Sequence, residues 1–171
     1  MTRYGMLINT KKCVGCSACR IACQMKNHLD PEESFIKYHE IETGEYPNVY
    51  NEIVPTQCMH CEEAPCVAVC PTGATAKDEE TGIVTQDTET CIGCQSCVEA
   101  CPYQAVGAGV RTYLEAEPEF LVGFPVGNSE APTHVKNTVE KCNLCYQRIS
   151  EGDLPARVGQ PSTPVSYTHL T

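Results

Sequence analysis

The chemistry of this sequence is concentrated in fourteen cysteines, which fall into four groups. The densest group is Cys91-Ile-Gly-Cys94-Gln-Ser-Cys97-Val-Glu-Ala-Cys101-Pro102-Tyr103. Cys91, Cys94 and Cys97 are spaced so that one short loop turns three thiolates onto a common face. Cys101 follows later, starts a new direction of chain, and does not easily reach the same centre. Three thiolates from one loop and a fourth from elsewhere suit an iron–sulfur cubane. Structural zinc also uses cysteine pairs, but it needs two of them with a longer gap between.

The spacing C-x2-C-x2-C-x3-C-P is the run found in bacterial ferredoxins, where the fourth cysteine ligates the other cluster of a pair. Cys13, Cys16, Cys19 and Cys23 repeat that spacing, with Gln24 in place of the proline. A helix over Ala18–Asn27 is therefore predicted, with Cys19 and Cys23 at i, i+4 on one face. Cys58, Cys61, Cys66 and Cys70 widen the middle gap by two residues and end on Pro71. That proline ends the cysteine-bearing turn by fixing φ and removing a donor. Cys142 and Cys145 open a fourth group on a strand-to-helix bend, and no cysteine follows them.

The elements around these groups are short. Residues 3–10 alternate as a strand. Residues 35–42 and 46–54 read as two strands around a Thr43-Gly44 turn. Residues 73–77 and 82–86 read as a hairpin around Asp78-Glu-Glu-Thr-Gly82. The groups at 58–70 and 91–101 bracket that hairpin, which makes an internal two-cluster repeat. Residues 107–138 hold no cysteine but contain Pro118, Pro125 and Pro132, with Tyr113, Phe120, Leu121 and Phe124 as sparse anchors. That stretch is long for a plain loop. It reads as a surface insertion lying against a partner.

Composition narrows the compartment and the partners. There is no N-terminal apolar segment with a small-residue cleavage site, so no signal peptide is expected. The cysteines are too crowded within each group for a regular disulfide framework. The hydrophobic fraction of 42% counts cysteine, and there is no Trp. The remaining apolar residues are few for a packed core, so bound clusters are expected to supply much of the interior. A net charge of −10 argues against nucleic acid, whose phosphates call for Lys and Arg. No apolar run approaches the ~18 residues of a membrane span. The sequence has no P-loop, G-x-S-x-G or G-x-G-x-x-G motif for nucleotide or substrate chemistry.

Several other side chains invite a role. His60 lies between Cys58 and Cys61, but the group already has its thiolates, so a supporting or solvent role is expected. His28, His39, His134 and His169 have no partner spacing and read as surface residues. Lys11, Lys12 and Lys141 precede cysteine groups and read as solvated, with electrostatic tuning of a cluster as the alternative. Glu62-Glu63 reads as a solvated loop. Arg111 and Tyr113 are candidate partner contacts.

Four cysteine groups in this order resemble the iron–sulfur electron-transfer subunit of the dimethyl sulfoxide reductase family of molybdopterin oxidoreductases. The resemblance runs from Gly5 to about Ala156. It is carried by Cys58-x2-Cys61-x4-Cys66-x3-Cys70-Pro71, Cys101-Pro102-Tyr103 and Lys141-Cys142-x2-Cys145-Tyr146. It implies an α+β, ferredoxin-like fold of tandem two-cluster modules with short helices, hairpins and long loops. It further implies [4Fe–4S] clusters, four in the full-length parent, and no catalysis by this subunit. One cluster would take Cys58, Cys61, Cys66 and Cys101. A second would take Cys91, Cys94, Cys97 and Cys70. A third would take Cys13, Cys16 and Cys19 with the last cysteine of the fourth group. The fourth would take Cys142, Cys145, a further cysteine of that group, and Cys23.

The sequence departs from the family where those further cysteines belong, since Arg157 and Pro161 stand there. Two clusters therefore have complete ligand sets in this chain. The closing residues Val165-Ser-Tyr-Thr-His-Leu-Thr171 resemble translated adapter read-through. Residues 157–171 are accordingly expected to be a non-native tail, with a native variant as the alternative. The expected organisation is one four-cluster domain over 1–156. Its inner module lies at about 57–106, its outer module at 1–30 plus 139–156, and the insertion at 107–138.

The resemblance implies a molybdopterin catalytic subunit and a membrane anchor subunit as partners, with no membrane span in this chain. It implies a peripheral position on the cytoplasmic face, or export already folded beside a twin-arginine partner. The rival readings are a free soluble polyferredoxin and a zinc-binding regulatory module.

Overall fold

Helix α1 (Ala18–Asn27) forms where the cysteine spacing predicts it and buries Cys19, Ala22, Cys23 and Asn27 on one face. Asn27 Nδ2 donates to the Cys23 carbonyl at 2.9 Å and to Cys23 Sγ at 3.4 Å. His28 ends the helix in a left-handed conformation, φ 51°. Gln24 Nε2 then donates to the carbonyls of Pro31 and Glu33, at 3.0 and 2.6 Å, and ties down the exit loop. The computed structural model describes residues 3–105, 111–115, 134–158 and 165–170.

Among the described residues, four antiparallel two-stranded sheets carry the cysteine loops. Strand β1 (Arg3–Ile8) pairs with β8 (Val165–Leu170), with Tyr4 opposite His169. Strands β2 (Lys37–Glu45) and β3 (Asn48–Thr56) form a long hairpin. Strands β4 (Thr75–Lys77) and β5 (Val84–Gln86) form the hairpin between the two inner groups. Strands β6 (Arg111–Tyr113) and β7 (Val139–Lys141) form the fourth pair. The other described α-helices are single turns: α2 (Pro65–Ala68), α3 (Ser96–Glu99), α4 (Pro102–Ala105) and α5 (Tyr146–Ser150). Pro65 opens α2 and Pro102 opens α4, positions where a missing N–H leaves no bond unmade.

The β2–β3 turn lies three residues beyond its predicted place, at 46–47 instead of 43–44. The corner is Tyr46-Pro47, joined by a cis peptide, the arrangement of a type VI turn. Gly44 sits inside the ladder opposite Val49 with φ +91°. A Cβ there would collide with the Asn48 carbonyl oxygen, so the glycine serves the ladder rather than the turn.

The interior consists of small satellite cores, and cysteine is a member of most of them. Cys19 and Cys23 pack with Leu29, Phe35 and Ile36. Cys66 and Cys97 pack with Val84 and Val139. Cys101 packs with Tyr103. Ile83, Leu144 and Ile149 form a further core, against which Tyr4 and Met6 pack. No one of these groups is large enough to act as the core of a domain this long. The cysteine sites are therefore part of what holds the fold.

The stretch read as a surface insertion is built into the fold at both described ends. Arg111, Leu114 and Thr138 are buried. Leu114 N–H donates to the Thr138 carbonyl, and Asn137 N–H donates to that of Leu114. Pairing with β7 accounts for this, because an unpaired buried strand would leave its own polar groups without partners. Residues 106–110 and 116–133, including Pro118, Phe120 and Pro132, lie outside the described residues.

His134 is another correction, since it is a buried bridge and not a surface residue. Its Nδ1 lies 2.7 Å from Glu140 Oε2 and its Nε2 lies 2.7 Å from the Asn27 carbonyl. Burial alone would lower its pKa, but the hydrogen bond and charge of Glu140, with the Asn27 carbonyl, outweigh burial and raise it. The contribution to stability is therefore full below the unfolded value of about 6.5 and is lost as pH rises through the higher folded value. His134→Gln is expected to abolish that loss. Chemical denaturation across pH 6 to 9 checks it; equal slopes for both proteins would refute the assignment.

Candidate metal centres

Cys58, Cys61, Cys66 and Cys101 line one cavity, with Pro102, Tyr103 and Arg111 also in its wall. The loop after β3 supplies Cys58 and Cys61, the first turn of α2 supplies Cys66, and the link from α3 to α4 supplies Cys101. Burial raises the pKa of Cys61, and the charges of Cys58, Cys66 and Cys101 add to the rise. Tyr103 is likewise raised by burial and then by Cys61, Cys101 and Cys58. Thiolates packed this way repel one another until a cationic core neutralises them.

Cys70 lies close enough to the group at 91–101 that its charge raises the pKa of both Cys94 and Cys97. Burial pushes the Cys70 thiol up. The N–H of Thr75 at 3.5 Å and the Thr72 hydroxyl at 3.8 Å outweigh that and bring it down to about 7. Cys94 is exposed, and its pKa is lowered by hydrogen bonds from the Ser96 hydroxyl and backbone. Cys97 is buried, and burial is the main cause of its raised pKa. Gly93, at φ +68°, lets this loop lie against Asn137 beyond β6–β7.

An added Cβ at Gly93 would strike the Asn137 carbonyl oxygen, which is backbone and cannot rotate away. Gly93→Ala is expected to destabilise the protein by about 1–3 kcal/mol. Loss of iron should begin at the Cys91–Cys97 loop. Thermal unfolding and iron content measure both, and a variant with unchanged melting temperature and iron content would contradict this.

The outer groups lie around α1. Cys19 Sγ is 3.0 Å from the Tyr38 hydroxyl. Burial, the Cys19 hydrogen bond and the charges of Cys19 and Cys13 all raise the Tyr38 pKa. Cys16 is exposed. Cys23, Cys142 and Cys145 line a second cavity together with Gln57 and Arg157. Burial pushes the Cys142 thiol up to about 12, and the charges of Cys145 and Cys58 add to it. Burial also raises Cys23 well above its usual value, with Cys142 and Cys145 contributing. Arg157 is buried and its Nη1 donates to Gln57 Oε1 at 2.5 Å. Arg157 thus stands in the wall of a three-cysteine site.

Among the other side chains some keep their sequence reading and some depart from it. His60 is a structural acceptor, receiving the Val84 N–H on Nδ1 at 3.0 Å. Burial, then Lys141 and Arg111, hold its pKa down at about 3, so it is neutral. Lys141 is not solvated: it is 4% exposed, and its Nζ donates to the carbonyls of Val84 and Cys142. Arg111, read as a partner contact, is also 4% exposed and faces the inner sites. Lys11 and Lys12 are exposed as expected. Glu62 is exposed but paired, with Arg3 Nη1 at 3.0 Å and Lys77 Nζ at 3.3 Å. Tyr38, Gln57 and Thr75 had no signal in the cysteine spacing, and only the fold brings them to the sites.

The donor chemistry fits iron–sulfur clusters. Each inner set is four cysteines, and all fourteen are free thiols. Among the described residues, no three His, Cys, Asp or Glu converge closely enough to hold a single metal ion. Four thiolates that share a cavity suit a [4Fe–4S] core, in which each sulfur takes a different iron.

Comparison with known proteins agrees with this chemistry. Residues 12–74 and 49–115 each match the 4Fe-4S dicluster domain. A selenate reductase subunit of Mesobacillus selenatarsenatis is 38% identical over 164 residues, covering 87% of this chain and 54% of that protein. The arsenate respiratory reductase iron-sulfur subunit of Shewanella sp. strain ANA-3 is 33% identical over 180 residues, covering 91% of this chain and 76% of that protein. A tetrathionate reductase subunit of Salmonella typhimurium is 34% identical, covering 91% of this chain and 53% of that protein. The chain spans about half the length of the selenate and tetrathionate reductase subunits.

Proposed function

This chain belongs to the iron–sulfur electron-transfer subunits of molybdopterin reductase complexes, and on that premise we propose that it passes electrons between a quinol-side membrane subunit and a molybdopterin catalytic subunit. Its cofactors are [4Fe–4S] clusters, and it is an electron-transfer subunit rather than a catalytic one. The zinc-module and free-polyferredoxin readings are less well supported than this one.

The ligand sets are Cys58, Cys61, Cys66 and Cys101 for one inner cluster and Cys70, Cys91, Cys94 and Cys97 for the other. Cys13, Cys16 and Cys19 form one outer set, and Cys23, Cys142 and Cys145 form the second. A [4Fe–4S] cluster supplies a one-electron couple whose potential is set by charge, hydrogen bonds to sulfur and burial. The residues of this chain hold the sulfurs, exclude water from the buried sets and fix which site adjoins which.

The observation that supports a relay is the order of the sites. Cys19 and Cys23 share a core, against which Cys142 packs. Cys142 feels the charge of Cys58. Cys66 and Cys97 share the next core. The four sets therefore form a row, which suits stepwise electron transfer and not the binding of a substrate.

No helix among the described residues is long and apolar enough to cross a membrane. We place the subunit at the membrane periphery, held by an anchor subunit, on the cytoplasmic face or exported folded with a twin-arginine partner. The insertion at 107–138 is the proposed docking element, with residues 118–132 as the part whose deletion tests it.

Anaerobic reconstitution should yield about eight irons in the two complete sets, not sixteen. Copurification with the catalytic and anchor subunits should weaken when residues 118–132 are deleted, while the inner clusters' spectrum stays. Four intact cubanes would refute the ligand count. Unchanged copurification would remove the docking segment, and failure of the intact chain to bind either subunit would remove the relay.

A further inference from the structure

The inner sites contain two buried cations that the ligand sets do not explain. Arg111 and Lys141 are direct partners on the β6–β7 ladder, so their side chains leave the same face. Both are 4% exposed. Like charges directly opposed across a ladder destabilise it, and a low-dielectric interior strengthens the repulsion. Such a pair persists only where anions compensate it.

Among the described residues, no carboxylate does so. Arg111 Nη1 donates to Gln86 Oε1 at 3.4 Å, and Nη2 is buried with no partner among the described residues. Lys141 Nζ donates to the backbone carbonyls of Val84 and Cys142. Glu140, the buried carboxylate beside Lys141 on β7, is taken by His134. What surrounds the two cations is sulfur. Arg111 lines the cavity of Cys58, Cys61, Cys66 and Cys101, and its charge also favours the thiolate of Cys97 in the neighbouring site. Lys141 lies within the field of Cys58, Cys66 and Cys142. Gln104 clamps the Arg111 backbone, accepting its N–H on Oε1 at 3.3 Å and donating Nε2 to its carbonyl at 3.5 Å. The Arg111 backbone is thereby fixed, with the residue in the wall of one inner site and its charge reaching Cys97 of the other.

We propose that Arg111, backed by Lys141, is the shared counter-cation of both inner clusters, and that it raises their reduction potentials together. Resting on the cluster reading above, the argument is electrostatic. A cluster ligated by four thiolates is anionic and gains a further negative charge on reduction. A fixed cation beside it favours the reduced form. The buried Nη2–H of Arg111 has no partner among the described residues and is available as a donor to cluster or cysteine sulfur. One residue between two sites would keep their potentials in step, so that an electron crosses the inner pair without a large energetic drop.

The test is a potentiometric titration followed by EPR on anaerobically prepared holoprotein. In Arg111→Met, both inner clusters should become harder to reduce. At a fixed solution potential the oxidised-to-reduced ratio should rise about tenfold, equivalent to about 59 mV for a one-electron couple. Arg111→Lys keeps the charge and should move both by much less. Unmoved potentials in the methionine variant, a shift of one inner cluster alone, or an equal shift in the lysine variant would overturn the proposal. If Arg111→Met fails to hold iron, Gln86→Glu decides. It sets a carboxylate against the guanidinium, and both potentials should fall; unchanged potentials there sink the idea. Clusters present with unmoved potentials defeat this inference alone, whereas an intact wild-type chain that assembles no cluster defeats the reading beneath it as well.

Discussion

Replacing Cys70 with serine is expected to abolish the EPR signal of the cluster held by Cys91, Cys94 and Cys97 and to spare that held by Cys58, Cys61 and Cys66. Iron should fall by about four per chain, one cubane. In sequence Cys70 closes the group at 58–70, and the simplest expectation would assign it there. In space it comes near the other group, where Cys94 and Cys97 feel its charge. Cys101 makes the reciprocal crossing into the cavity of Cys58, Cys61 and Cys66. Against the effect of burial, the bonds from Thr75 and Thr72 bring Cys70 down to about 7. It is thus a thiol prepared to ligate. Selective loss of the Cys58–Cys66 signal would show the crossover to be wrong.

Stripping iron with a chelator under reducing conditions is expected to remove the cooperative thermal transition altogether. The apolar cores are small, and three of the four described include cysteine. The β4–β5 and β6–β7 pairs are three residues per strand, too short to be stable alone. Without clusters, Arg111 and Lys141 would face each other uncompensated. The effect should therefore match the whole stability of a small domain, about 5–15 kcal/mol, because binding to a site absent from the unfolded chain is itself folding free energy. A metal-free chain melting sharply within about 5 °C of the holoprotein would contradict this.

The sequence by itself determined the chemistry. Cysteine spacing marked the cluster groups and the helix over Ala18–Asn27, and the turn residues Asp78 to Gly82 marked the hairpin between the inner groups, because these depend on neighbours a few residues apart. Turn position was less legible: Thr43-Gly44 looked like a corner, but Pro47 took the corner and Gly44 served the ladder.

Tertiary structure alone decided the roles of the charged residues. Arg111, Lys141 and His134 carry the residue types of a solvated surface, and no local pattern distinguishes them. Their burial comes from β6 pairing with β7 across a long separation in sequence. That pairing places two cations beside cysteine sulfur and a histidine between Glu140 and the end of α1. Ligand spacing is a short-range property that a sequence displays directly. The electrostatic surroundings of a cluster are assembled from distant segments, and they exist only once the chain has folded.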